Sequence, residues 1–392
     1  MPSTIIARSL LLPELELTGL EHFRSANYLQ VKKKTPFEFC PKCARRCESV
    51  YDHRTVQIKD EPIRGKGVYL VIKKRRFFCG TCSKPFTEYV DGIKKGYRTT
   101  QRLKSSVLWA CENFTDLKRV RRAYRCSSWY VYKAFYEQLE LKRRRRQYPW
   151  PNTIGIDEHS FRRNKKGYTD FASLIADYRN KRVMEVAQGK TVAELNYALS
   201  HIAEPENVEN VVVDLCDPFK SFAYSFFPNC KVIADKFHVL RLLHGPINKR
   251  RNAIVGDRRI NPIGRLLLKN GSKLDYFVRK TIALWLEPYP ELKEIYQYKE
   301  ALHRFYRIRG YRKARCALIN MTDQMAYSKT REIQTLRRTL MKWREEILAY
   351  FLTGLTNGRT ESYNNLAKLV QRRAFGYKSF ENYRLRLLNA CA

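Results

Sequence analysis

"TIGIDEHSF", residues 153–161, alternates β-branched and small residues and then places two acids, Asp157 and Glu158, side by side. Ile154 and Ile156 alternate with Gly155 and Asp157 at the period of a strand, so Asp157 falls on the face opposite the isoleucines and Glu158 points away from it. Working outwards, "YTDFASLIADY" and "RVMEVAQG" read as a second and third strand, with "NKR" turning between them as a hairpin. "TVAELNYALSHIA" reads as an amphipathic helix capped by Thr191. "VENVVVDLCD" is short and almost wholly apolar, as strands covered on both faces are. "PFKSFAYSFFP" supplies a helix, and "CKVIADKFHVLRLL" a fifth strand running into another.

Three antiparallel strands, a helix, a central strand, a helix and a further strand is the order of a ribonuclease H-like fold. In that order the first and fourth strands are neighbours, so Asp157 and Asp214 are expected to meet at one edge of the sheet. Their repulsion becomes useful around Mg²⁺, which needs only one or two carboxylates besides water and substrate phosphate. Two such ions, about 3.5–4 Å apart, activate a water or a 3′-hydroxyl and steady the leaving oxygen in phosphodiester exchange. Asp217 has a local explanation, an N-cap with Pro218 at the first helical position. A third acid is expected from a late helix. In "TNGRTESYNNLAKLVQRRAFG", Asn357 and Gly358 make a turn, Thr360 caps, and Glu361 falls in the first turn, where the helix dipole favours its ionised form. Leu366, Leu369 and Val370 are expected to bury one side of that helix, with Glu361, Asn365 and Lys368 on a neighbouring one.

The chain has 392 residues, with 76 Lys and Arg against 38 Asp and Glu. A net charge of +38 repels itself unless a polyanion sits against it, and nucleic acid is the first such partner to consider. The Tyr- and Phe-rich background argues for folded domains. No apolar run approaches the roughly 20 residues that span a bilayer, and "IIARSLLLP" is too short and interrupted for a signal peptide, so a cytoplasmic, nucleoid-associated protein is expected. Of eleven cysteines, two pairs stand out: Cys40 and Cys43 in "CPKC", and Cys79 and Cys82 in "CGTC". Each pair has the spacing of a knuckle around tetrahedral Zn²⁺, and the strand-like alternation between them returns the second knuckle beside the first as in a zinc ribbon. Cys47 and His53 are alternative ligands nearby, read instead as a spare thiol and a surface imidazole. The run Lys73, Lys74, Arg75 and Arg76 beside the second knuckle suits phosphates.

After the ribbon, apolar residues recur at helical spacing: Leu103, Val107 and Ala110, then Leu117, Val120 and Tyr124, then Trp129, Tyr132, Phe135, Tyr136 and Leu139. Thr115 and Ser127 stand at N-cap positions. Three short helices predict a helix-turn-helix whose last helix offers Ser128, Tyr130 and Lys133 to DNA, with Trp129 and Tyr132 in the core. Lys142, Arg143, Arg144, Arg145 and Arg146 then form a basic linker before "YPWP". "RRINPIGRLLLKNG", "LDYFVRKTIALWLEP", "LKEIYQYKEALHRFYRIRG" and "REIQTLRRTLMKWREEILAYFL" read helical, with Trp285 and Trp343 as core residues. The expected organisation is an N-terminal arm (1–34), a zinc ribbon (35–95), a helix-turn-helix with basic linker (96–146), the first part of a ribonuclease H-like core (147–250), an all-helical insertion (251–349) and the final helix of the core (350–392).

"GIDEHSFRR", "VVVDLCDPFKSFAYSFFPNCKVIADKFHVLR" and "TNGRTESYNNLAKLVQRRAFGYKSFENYRLRLLN" resemble the three catalytic blocks of bacterial insertion-sequence DDE transposases, and the N-terminal half is similar to that of the ISL-three family. The resemblance implies Asp157, Asp214 and Glu361 as the metal-binding triad. "DKFHV" resembles an Asp-x-x-His element, which implies Asp235 and His238 near the active site. It also implies Mg²⁺ or Mn²⁺, two per site, a structural Zn²⁺, transposon-end and target DNA as partners, and a homodimer. The expected function is binding of terminal inverted repeats followed by metal-dependent strand cleavage and transfer. The alternatives are a DNA-binding regulator with an inactive nuclease fold and a structure-specific endonuclease of the same fold.

Overall fold

The computed structural model of the chain describes residues 12–114, 116–163, 168–255 and 263–391. The chain divides into two compact units between Lys142 and Arg143.

The first unit begins with strands β1 (Leu15–His22), β2 (Ala26–Lys33), β3 (Glu38–Phe39), β4 (Arg46–Cys47), β5 (Val50–Ile63), β6 (Lys66–Cys79) and β7 (Lys84–Thr87). Five of them form a sheet in the order β1-β2-β6-β5, with β7 also on β6, while β3 and β4 pair separately. β1 and β2 thus run through the stretch expected as an arm, and β2 lies parallel to β6. β5 and β6 turn at Arg64 and Gly65, both at positive φ (50° and 75°); two such residues match the twist of the flanking strands. Val31, Ile58, Val68, Leu70 and Ile72 are buried between this sheet and its coverings.

Helices α1 (Gln101–Asn113), α2 (Leu117–Ala123) and α3 (Ser128–Arg144) follow. Thr100 caps α1 by accepting from the Leu103 N–H, and its own hydroxyl donates to buried Asp60 of β5 at 2.7 Å. Asp116 caps α2; the expected cap Thr115 lies outside the described residues. Ser127 caps α3, accepting from the Tyr130 N–H at 3.2 Å. Leu103, Val107 and Ala110 are buried on α1 as their spacing predicts. On α3 the buried stripe is Val131, Ala134, Phe135 and Leu139. Trp129 and Tyr132, expected in the core, are instead 69% and 47% exposed, because that stripe leaves them on the outer face.

In the second unit come β8 (Thr153–Arg163), β9 (Thr169–Asp177), β10 (Arg182–Gln188), α4 (Val192–Leu199), β11 (Asn210–Val213), α5 (Asp217–Phe226) and β12 (Lys231–Ala234). The sheet order is β10-β9-β8-β11-β12. β9 is antiparallel to both β8 and β10, while β11 runs parallel to both β8 and β12. Thr191 and Glu194 form a reciprocal capping box at α4. Asp217 does not cap α5: the cap position is Cys216, and the Asp217 carboxylate pairs with Lys342 at 2.5 Å.

The remainder is helical: α6 (Lys236–Arg241), α7 (His244–Val255), α8 (Ile263–Leu268), α9 (Tyr276–Leu286), α10 (Pro290–Phe305), α11 (Tyr311–Ala326), α12 (Arg331–Lys342), α13 (Arg344–Thr353), α14 (Gly358–Arg373) and α15 (Phe380–Ala390). α11 was not anticipated. Its buried residues Ala314, Leu318, Met321, Thr322 and Met325 have helical spacing but are diluted by polar and basic neighbours. The single helix expected over residues 331–352 breaks at Trp343, which is buried, into α12 and α13.

The sheet is covered on both faces. Ile154, Ile156, Val211, Val213 and Val232 pack with Leu195, Phe219 and Phe222. On the other face Val212 and Ile233 meet Ala349, while Ala172, Leu174 and Ala176 meet Ala367, Tyr383 and Leu387. Gly155 allows α14 to lie close to β8: a Cβ there would stand 2.3 Å from Thr360 Oγ1 and 2.6 Å from Tyr178 Oη. Thr360 is therefore packed inside the first turn of α14, not capping it, and Leu369, expected to be buried, is 42% exposed.

Gly155→Ala is accordingly expected to force α14 off the sheet and destabilise the protein by about 1–3 kcal/mol through overpacking. Thermal denaturation checks this, and an unchanged midpoint would show that the contact yields freely.

Candidate active site and thiolate cluster

Strand register assembles the site. Val213 of β11 is level with Ile156 of β8 and with Ala234 of β12. The residues that follow, Asp157, Asp214 and Asp235, therefore stand side by side, Asp157 within β8 and the other two just past the carboxyl ends of β11 and β12. Open α/β sheets place their ligand sites at such ends.

His238, one turn into α6, bridges two of the acids: its Nε2 lies 3.0 Å from Asp214 Oδ2 and its Nδ1 3.0 Å from Asp235 Oδ2. The potential ligand atoms of Asp214, Asp235 and His238 all lie within 4.8 Å of one another. Asn357, buried at the start of α14, secures the same pair from the other side. Its backbone N–H donates to Asp235 Oδ1 at 2.8 Å, and its Nδ2 to Asp214 Oδ1 at 3.0 Å. Asn364, two turns further on, donates to Asp157 Oδ2. Behind it, His159 contacts Asn364 Oδ1 through Nδ1 at 3.0 Å and the Tyr383 hydroxyl through Nε2.

Burial, and then the Asp214 charge with which it shares a hydrogen bond, pushes the Asp157 carboxyl up to about 8. The hydrogen bonds to Asp214 and Asp235 raise His238 to about 10. Although burial opposes it, the bonds from His238 and Asn357 hold Asp235 below the usual carboxylate range. Burial drives His159 down to about 4, leaving a neutral ring.

Asp157, Asp235, His238 and Glu361 line one cleft of about 150 Å³, together with Glu158, Arg241, Asn357, Asn364, Asn365 and Lys368. Glu361 is a half-exposed rim residue, its carboxylate 4.0 Å from Arg241 Nη2. Glu158, expected to point away, also borders the cleft and pairs with Lys190 at 3.3 Å. The carboxylates among these residues suit a hard cation such as Mg²⁺ or Mn²⁺.

In the first unit, Cys40, Cys43, Cys79 and Cys82 converge. Cys40 and Cys82 Sγ are 3.9 Å apart, and Cys43 and Cys79 Sγ 3.5 Å. Four thiolates bound tetrahedrally at the zinc–sulfur distance of about 2.3 Å have sulfurs about 3.8 Å apart, so the cluster fits Zn²⁺. The Cys82 backbone N–H holds Cys79 down to about 6, while hydrogen bonding with Cys43 and burial push Cys82 up to about 12; the sulfurs resist joint ionisation without a cation. Cys47 is buried and donates to the Arg45 carbonyl at 3.5 Å, outside the tetrad. His53 is exposed on β5.

Residues 154–387 match the family model of ISL3-type DDE transposases, described as "Transposase". The chain belongs to that family. Residues 36–82 match the "zinc-finger of transposase IS204/IS1001/IS1096/IS1165". Over 374 residues, 92% of this chain and 90% of the relative, it is 22% identical to the "Transposase for insertion sequence element IS1001" of Bordetella parapertussis. In this family member the basic run on β6 is partly engaged internally. Arg75 binds buried Glu88 at 2.7 Å and Arg76 binds Asp52 at 2.7 Å, burial lowers Lys74, and Lys73 is exposed. On α3, Ser128 accepts from Arg121 at 3.3 Å, Tyr130 is half-buried with its hydroxyl 3.5 Å from Thr99, and Lys133 lies 4.7 Å over the Trp129 ring. Lys142 pairs with Glu112, Arg143 is half-buried, and Arg144, Arg145 and Arg146 are exposed. Asn364, His159 and Tyr178, and the hydrogen-bonding role of the turn residue Asn357, are not expected from the sequence, although the adjacent Asn364 and Asn365 follow Glu361 closely.

The purified protein is expected to carry one Zn²⁺ per chain by elemental analysis. Cys79→Ser should lose it and unfold the surrounding knuckles, since zinc binding and folding are coupled at such sites; full zinc retention by that variant would contradict the cluster.

Proposed function

We propose that this chain is the transposase of an insertion sequence: it binds the terminal inverted repeats and catalyses metal-dependent DNA cleavage and strand transfer. The reading is supported by Asp157 and Glu361, far apart in a chain of net charge +38, lining one solvent-open cleft, with Asp214 beside Asp157 behind it. The sheet order, with three antiparallel strands followed by two parallel ones, supports a ribonuclease H-like core. The three helices α1 to α3 support a helix-turn-helix, with Ser128, Tyr130, Lys133 and the exposed aromatic face of α3 turned to DNA. Lys73, Lys74, Arg75, Arg76 and Lys142 to Arg146 add phosphate contacts that position the duplex without reading sequence. Two DNA ends handled together imply a homodimer, working in the bacterial cytoplasm at the nucleoid.

In this reading Asp157 and Asp214 would hold Mg²⁺ or Mn²⁺ and Glu361 would complete a second position, and the bound ions would supply activation of a water or 3′-hydroxyl and stabilisation of the leaving oxygen. The chain's own groups do the rest. Asn357 and Asn364 keep the carboxylates aimed, and the His238 imidazolium neutralises Asp214 and Asp235. Arg241 and Lys368 present positive charge to the scissile phosphate at the rim, and Asp157 gives up its proton when the cation arrives.

Asp157→Asn should abolish cleavage of DNA bearing the element's ends by about 10³-fold or more, while gel-shift binding of those ends persists; full cleavage would refute the assignment. Because metal-free Asp157 holds its proton up to about pH 8, cation binding expels it. Mn²⁺ affinity should therefore rise about tenfold per pH unit below that value and level off above it. Calorimetry showing the same affinity from about pH 6 to 8 would contradict this.

A further inference from the structure

We propose that His159 is a positioning residue that transmits a fixed hydrogen-bond direction from Tyr383 through Asn364 to Asp157, and so determines which face of the Asp157 carboxylate is left for a divalent cation. The inference rests on the metal-binding reading of Asp157. Its members come from three elements: Asp157 and His159 from β8, Asn364 from α14 and Tyr383 from α15. His159, Asn364 and Tyr383 are all buried, at 4%, 4% and 0% exposure. Asp157 and His159 are two apart on one strand and share a face.

The direction follows from donors and acceptors. The Asn364 Nδ2 group donates to Asp157 Oδ2, which turns its Oδ1 towards His159 Nδ1 at 3.0 Å. An amide oxygen only accepts, so Nδ1 must carry the hydrogen. The neutral ring then has an acceptor at Nε2, which the Tyr383 hydroxyl fills by donating. Without that phenol, the ring is free to carry its hydrogen on Nε2. Nδ1 then becomes an acceptor, the Asn364 amide is drawn to reverse, and its oxygen faces the Asp157 carboxylate. Outer partners of this kind orient metal-binding side chains, and their loss typically lowers metal affinity about 10- to 100-fold.

The test uses the full chain, with Mn²⁺ as the probe followed by calorimetry, and ¹⁵N NMR of labelled histidines to read the His159 tautomer. Wild type should show the Nδ1–H form. Tyr383→Phe should shift His159 towards Nε2–H and weaken Mn²⁺ binding about tenfold. His159→Leu should weaken it similarly, whereas His159→Gln, whose amide can accept from Tyr383 and donate to Asn364, should restore most of the affinity. An unchanged tautomer with unchanged affinity in Tyr383→Phe overturns the proposal. Should that variant fail to fold, equal affinities for His159→Leu and His159→Gln overturn it. If Asp157→Asn binds Mn²⁺ as wild type does, the metal reading fails and takes the relay with it. If that variant loses Mn²⁺ while the relay variants do not, the relay alone is wrong.

Discussion

Repulsion between carboxylates set side by side on neighbouring parallel strands is the constraint on which this site depends. Two unit charges about 4 Å apart repel by about 4 kcal/mol at an effective dielectric constant near 20, and register sets Asp157, Asp214 and Asp235 in a row. The fold answers with partners drawn from elsewhere in the chain. His238 lies between Asp214 and Asp235, and the Asn357 backbone and amide each take one of the same two acids. The proton retained by Asp157 absorbs what remains of the repulsion.

The close approach of α14 to β8 makes this balance possible. Asn357 and Asn364 can reach the strand ends only because Gly155 leaves room for Thr360 and Tyr178. The single Tyr178 hydroxyl hydrogen is shared between the Thr356 carbonyl at 2.9 Å and Asn357 Oδ1 at 3.1 Å, fixing the turn that starts the helix. Packing and electrostatics are thus the same problem at this point: a methyl group on β8 would disturb both. The thiol tetrad solves a similar problem with softer ligands, since four adjacent sulfurs are tolerable as thiolates only around a metal ion.

Strands β8 to β12 and the Thr191 cap of α4 could be recognised because periodicity two, β-branched residues and a threonine ahead of a helical pattern are local signals. The helix start places Glu361 in the first turn of α14, as expected. The hydrogen-bonding roles of Asn357, Asn364 and His159 carry no such signal, because a polar residue in a helix or strand has no periodic signature until the surface it faces is known. Trp129 and Tyr132 were assigned to the core on hydrophobicity, yet α3 is amphipathic about Val131, Ala134, Phe135 and Leu139. α11 was overlooked since its arginines and lysines mask a narrow apolar stripe.

Residue chemistry along the chain was enough to set the inventory: two cysteine knuckles, a strand carrying Asp157, an apolar strand before Asp214, a helix beginning near Glu361, and a charge that calls for a polyanion. Three-dimensional packing alone decided which atoms meet. Asp235 and His238 became partners of Asp214, and residues 205 and 224 positions from His159 came to flank it. The reason is physical. Propensity and periodicity act over a few residues and specify elements, whereas hydrogen-bond partners and proton affinities depend on distances of a few ångströms that only sheet register and helix docking fix.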